Sequence, residues 1–229
     1  MNLLDPIVAR ILAAVAVTAP LLSVAVAQTN AATSCGNPFV NHFGPFDYRS
    51  ATPSDRQMVE RIHFTPGIES LTTPGTTTRL EMAGDVAYTL EVFPNHHRAL
   101  ITMSRLAARY QSDPAPGTKM TVECWFDRAI RFRPDDTVAR ALYARFLFKK
   151  NRKEEALQHL GIAETHAKDS PLSHYNLGLL YFEFGDFEKA GAQARIARDL
   201  GAPQTKLIDQ LKAAGKWTDS PSDSAKPES

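Results

Sequence analysis

Seven histidines and two cysteines are the residues of this chain best able to do chemistry, and their spacing limits what that chemistry could be. His96 and His97 are adjacent, within "FPNHHRAL". On a helix they would point about 100° apart, so one ion cannot readily take both. Joined by His42 and His63 from upstream they could still form a metal or haem site, and that alternative stays open. The simpler expectation for the segment is a proline stop at Pro94, a cap at Asn95 and then a new helix. Cys124 has no accompanying pattern for nucleophilic catalysis, and neither cysteine has a second one at zinc-ligand spacing. The sequence has no glycine-rich phosphate loop, no nucleophile elbow and no H-E-x-x-H helix. A protein that is not an enzyme and needs no cofactor is expected.

Arginine is the other candidate for recognition chemistry. From Arg98 to Lys153 there are 13 Lys and Arg against 5 Asp and Glu. The flanks are acidic, with 4 against 7 from Gln28 up to that stretch and 8 against 12 after it. The near-neutral total therefore conceals a basic middle. Arginine forks hold carboxylates through paired bonds, so the middle suits a protein or peptide partner with acidic residues or a C-terminal carboxylate. The run Lys149-Lys150-Asn151-Arg152-Lys153 is expected to be a solvated turn. Arg105 and Arg145 could equally pair with acidic side chains of neighbouring helices.

The elements that would position these arginines are clearest in "HYNLGLLYFEFGDFEKAGAQARIA", which starts at His174. Gly185 is a good helix terminator and Asp186 a good cap, so the stretch divides into two helices. Gly178, Ala190, Ala194 and Ala197 fall where such helices would approach closely. A shift of about 34 residues sets Ala156 on Ala190, Leu147 on Tyr181 and Ala163 on Ala197. These residues resemble the tetratricopeptide repeat family, with its pattern W-x2-L-G-x2-Y, then A-x3-F, then P. The best copy is Leu177-Gly178-x2-Tyr181 followed by Ala190, departing at His174 and Ala194, with Pro203 one place late. A middle copy has Tyr143-Ala144-x2-Leu147 and Ala156-x3-Leu160. A first copy has Met103-Ser104-x2-Ala107, an enlarged turn over Ser112 to Thr121, and then Phe126-x-x-Ala129 and Pro134.

The resemblance implies an all-α fold: an α-solenoid of about three helical hairpins over 97–136, 137–170 and 171–203. An irregular N-terminal cap over 28–94 and a C-terminal capping helix over 204–217 would complete it. It also implies a concave groove that binds peptides and is lined by the first helix of each hairpin. The groove-facing places are Arg98, Ile101, Arg105 and Ala108, then Val138, Ala141, Arg145 and Phe148, then Leu172, Tyr175, Leu179 and Phe182. Asn176 takes a place where such repeats often hydrogen-bond a ligand's backbone. Arg105 and Arg145 are 40 residues apart, the length of the enlarged first repeat, and should stack in one row.

Residues 1–27 are of a different kind. Arg10 precedes an apolar run from Ile11 to Ala27 that ends in Ala25-Val26-Ala27 before Gln28, the pattern of a secretory signal peptide. Export to the periplasm and a mature start at Gln28 are expected, with no stable membrane insertion afterwards and no nucleic-acid partner. In an exported chain Cys35 and Cys124 invite a disulfide; a lipid-bearing Cys35 is the alternative. Within the cap region, helices are expected over Pro53 to Arg61, with Met58, Val59 and Ile62 on one face, and over Asp85 to Phe93. "TTPGTTTRL" should be a loop or short strand edge. Phe39, Phe43, Phe46, Tyr48 and Phe64 need burial, which the open end of the repeat stack offers. Residues 218–229 are expected to be a disordered tail.

Overall fold

Side-chain caps begin most of the helices. A helix starts with N–H groups that have no intrahelical partner, and Thr52, Thr65, Thr78, Thr121, Asp136, Ser170 and Asp186 each accept the amide three residues on. The computed structural model describes residues 35–72 and 78–218. The expected signal peptide, the Gln28 start and residues 219–229 of the expected tail lie outside these residues. Among the described residues there are ten helices and no strand. They are α1 (Pro53–His63), α2 (Pro66–Ser70), α3 (Arg79–Val92), α4 (His97–Tyr110), α5 (Val122–Phe132), α6 (Thr137–Lys149), α7 (Lys153–His166), α8 (Pro171–Glu183), α9 (Phe187–Asp199) and α10 (Lys206–Ala213). None is long and apolar enough to cross a membrane.

Consecutive helices pair as α4 with α5, α6 with α7 and α8 with α9, while α4, α6 and α8 touch in series. Gly185 ends α8 at a φ of 79°, and Asp186 caps α9. The two-helix division of that stretch therefore holds. Ala156, Ala163, Ala190, Ala194 and Ala197 are buried, which lets paired helices approach closely. Gly178 is the tightest point. A Cβ there would meet the Leu207 side chain of α10 and lie 3.2 Å from Gln193 Cβ on α9. One continuous core runs from Phe64 to Leu211. Residues 111–121 form the enlarged connection between α4 and α5, closed by the Val122 N–H donating to Asp113 Oδ1 at 2.7 Å.

Residues 35–51 form an irregular strap against α3, α4 and α5. A disulfide joins Cys35 to Cys124, with Cα atoms 5.0 Å apart. Arg131 donates to the Gly36 carbonyl at 2.8 Å, and the Phe46 N–H to Val92 O at 2.8 Å. Val59, Val92 and Phe93 make a small second core beneath Phe43, Phe46 and Tyr48. Three expectations are corrected here. Met58 and Ile62 stay exposed, because α1 packs along one narrow edge centred on Val59. Phe39 is 56% exposed although its ring lies 5.7 Å from Phe132. Helix α3 starts at Arg79, six residues before Asp85, because Thr78 and Glu81 form a reciprocal capping box.

Candidate functional site

Two hollows open on the side formed by α4, α6 and α8, and Arg145 borders both. The first, of about 610 Å³, lies between α4 and α6. Ile101, Ala108, Leu142 and Phe146 wall it, with Val122 and Phe126 of α5 beneath. Its rim carries Arg105, Arg145, Lys149 and Lys150 against one carboxylate, Asp113. The second, of about 640 Å³, lies between α6 and α8 and is closed at one end by Lys206 and Gln210 of α10. Val138, Ala141, Leu179 and Phe182 make its apolar lining, beside Asn176 and Glu183. Both volumes fall within the range of ligand pockets, about 300–1,000 Å³.

Charge on the first rim is largely uncompensated. Arg105 donates only to a backbone carbonyl, Glu69 O, at 3.3 Å. The Lys150 ammonium sits 5.6 Å from the centre of the Phe146 ring. Among the described residues Arg105, Lys149 and Lys150 have no carboxylate partner. Arg145 does have one: its Nε lies 3.1 Å from Glu183 on α8. That pair is half-exposed, so water screens it and it is worth at most about 1 kcal/mol. Arg145 can change partners at little cost.

The expected groove residues divide into two groups. Ile101, Arg105, Ala108 and Arg145 meet at the first hollow, and Val138, Ala141, Arg145, Asn176, Leu179 and Phe182 at the second. Arg98, Phe148, Leu172 and Tyr175 border neither. Arg98 is held by Glu69 at 2.8 Å and Glu60 at 3.0 Å, which α2 and α1 bring over it. Phe148 stacks on Phe184 with ring centres 4.1 Å apart, and Tyr175 is buried. Lys149 and Lys150 are exposed at the end of α6 and in the turn after it, as expected. They also stand on the rim, where Lys149 follows Arg145 by one helical turn, a spacing that shares a face. Gln210 and Lys206 had no such signal, because α10 lies outside the repeat register.

His96 and His97 pack against Tyr48 of the strap. His96, rather than Asn95, caps α4: its Nδ1 accepts the Ala99 N–H at 3.1 Å and its Nε2–H donates to Glu60 at 3.0 Å. Burial lowers the His96 pKa, which keeps the ring neutral as this geometry requires. The bond from His96 in turn leads in holding the Glu60 carboxyl down at about 2. His97 donates to Asp136 at 2.9 Å, and His63 Nδ1 meets Asp85 at 2.8 Å. His42 lies apart, its ring 5.8 Å from that of Tyr88. Both ring nitrogens of His96 are thus committed, and among the described residues no group of three or more His, Cys, Asp or Glu side chains is placed to hold a metal ion.

Asn95 has no exposed surface and is a hub instead of a cap. Its Oδ1 accepts the Tyr48 N–H at 3.0 Å, and its Nδ2 donates to Asp47 at 2.7 Å and Asp136 at 2.8 Å. Arg49 reaches Asp47 at 2.8 Å and Asp135 at 3.0 Å, and Arg133 reaches Asp47 at 2.8 Å. Burial works against ionisation of Asp47 and Asp136. The hydrogen bonds outweigh it, led by Arg49 for Asp47 and His97 for Asp136, so both carboxyls sit below their usual range. The chain matches no family model, and no curated protein matches it.

Proposed function

We propose that the chain is an exported, non-enzymatic adaptor whose three helix pairs are tetratricopeptide-like hairpins and which binds an extended segment of a partner protein. One observation carries this reading: two apolar-lined hollows adjoin at Arg145, with three more cations on the rim and, among the described residues, no carboxylate answering Arg105, Lys149 or Lys150. Such a surface favours a peptide with acidic residues or a free carboxylate. The disulfide fits an oxidising compartment, and with the leader-like residues 1–27 it supports a periplasmic location. Assembly of an envelope complex, such as a pilus, a secretion system or cytochrome maturation machinery, is the role this combination suits. Photo-crosslinkers placed at Val138 and Ala108 in living cells should each trap the same partner. Arg145→Ala should weaken that partner's binding about 10- to 100-fold, since a charged hydrogen bond contributes roughly 1.5–3 kcal/mol, and leave the melting temperature nearly unchanged. Unfolding by Arg145→Ala with undiminished affinity of the folded fraction would make Arg145 structural and end the groove assignment.

A further inference from the structure

We infer, resting on the peptide-binding reading above, that the hollow between α4 and α6 is a specificity pocket for a bulky apolar side chain flanked by carboxylates in the bound peptide. The hollow is far larger than a carboxylate needs, and its walls are apolar: Ile101, 40% exposed, faces Leu142 and Phe146 across it. A purely acidic segment would satisfy the rim and leave those walls wet. A purely apolar segment would cover the walls while stripping water from Arg105, Lys149 and Lys150 without replacing it, which is unfavourable. Only a ligand with both features matches both parts, and rejection of each half-match is what makes a site selective. An aromatic ring gains further, because guanidinium and ammonium groups sit favourably over ring faces, as Lys150 already does over Phe146.

The enlarged connection borders this pocket through Gln111, Ser112 and Asp113. The turns inside the α6–α7 and α8–α9 pairs, 150–152 and 184–186, are short, whereas 111–121 separates α4 from α5. The Asp113 carboxylate takes the Val122 N–H on Oδ1 and, among the described residues, forms no ion pair with the rim cations. The same bond pins the start of α5 as the base of the hollow.

Three fluorescein-labelled decamers test the inference on the oxidised protein by fluorescence polarisation. One has a central Glu-Phe-Glu, the second has Ala in place of Phe, and the third has Gln in place of both Glu. The first should bind at least about tenfold more tightly than either of the others. Ala108→Trp fills the hollow from an exposed position and should erase the preference for Phe over Ala while the dependence on Glu persists. Ile101→Glu, which adds a carboxylate to the wall, should weaken the first peptide by about tenfold or more. Acid-dependent binding that ignores the Phe and is untouched by Ala108→Trp would overturn the pocket and leave the adaptor reading standing. Failure of all three peptides to bind at about 1 mM would also overturn it, with the adaptor reading then decided by the crosslinking result.

Discussion

Asn95 makes three hydrogen bonds from a position with no exposed surface, and two of its acceptors are carboxylates. Asn95→Ala should cost about 2–3 kcal/mol, the penalty for leaving buried groups unpaired. Asn95→Asp should cost more, about 3–5 kcal/mol at pH 7, because a third carboxylate would join Asp47 and Asp136. Its deficit relative to the wild type should shrink as the pH falls towards 5, since the introduced group takes up a proton more readily folded than unfolded. Urea melts at the two pH values measure both. The wild type moves the other way. Glu60 is held at about 2 and His96 is lowered from 6.5, so both bind protons less readily in the fold. Their stabilisation is full above about pH 6.5 and drains as the pH falls through that value and then through the range of Glu60. Hydrogen exchange of residues 47–69, corrected for intrinsic rates, should show the strap opening more often at pH 5 than at pH 7. His96→Asn, which keeps a cap but does not titrate, should flatten the upper part of that response. A sequence offers asparagine before a helix as a cap. It does not reveal that residue 47 returns to residue 95, so the hub was invisible and the cap fell one residue early.

Gly178 decides how closely α8, α9 and α10 approach. Gly178→Ala forces Leu207 aside and crowds Gln193, which should cost about 1–3 kcal/mol and loosen α10 before the rest. Trypsin should then cut at Lys206 and Lys212 earlier than in the wild type; unchanged cleavage would mean that α10 repacks without strain. Close approach was legible at this scale, because small residues at helical spacing have few other uses inside a helix pair. The division between α8 and α9 was legible for a related reason: Gly185 and Asp186 are local signals, each acting within a few residues. The start of α1 is legible at Thr52 and Pro53, but its buried face is not, since which edge meets α3 is settled by distant residues. The start of α3 slipped because the Thr78–Glu81 box carries little apolar periodicity.

The strap is fixed at the scale of the whole molecule by two independent means, the Cys35–Cys124 bridge and the ion pairs of Asp47 and Arg49. Closing an 89-residue loop stabilises by roughly 4–5 kcal/mol in the chain-entropy model, so the double variant Cys35→Ser, Cys124→Ser should melt well below the wild type. The strap should stay docked at low temperature through its ion pairs, with little change in the exchange of residues 47–51. Intact mass after alkylation without reductant should show no modified thiol. A diacylglycerol adduct on Cys35 would instead reveal a lipoprotein. Cysteine pairing was legible from a count of two beside a leader-like N-terminus, whereas the hollows needed the packed helices. Arg145 has a consequence of its own at this scale. One guanidinium borders both hollows, so on the proposed peptide-binding function they would not act as independent receptors. Two short ligands, one in each, would compete for a single charge and oppose each other's binding. A single chain long enough to span both would meet that charge once and hold each end at high effective concentration for its hollow. The shared arginine would then measure length, favouring partners whose recognition segment is continuous over those that present the same residues on separate loops.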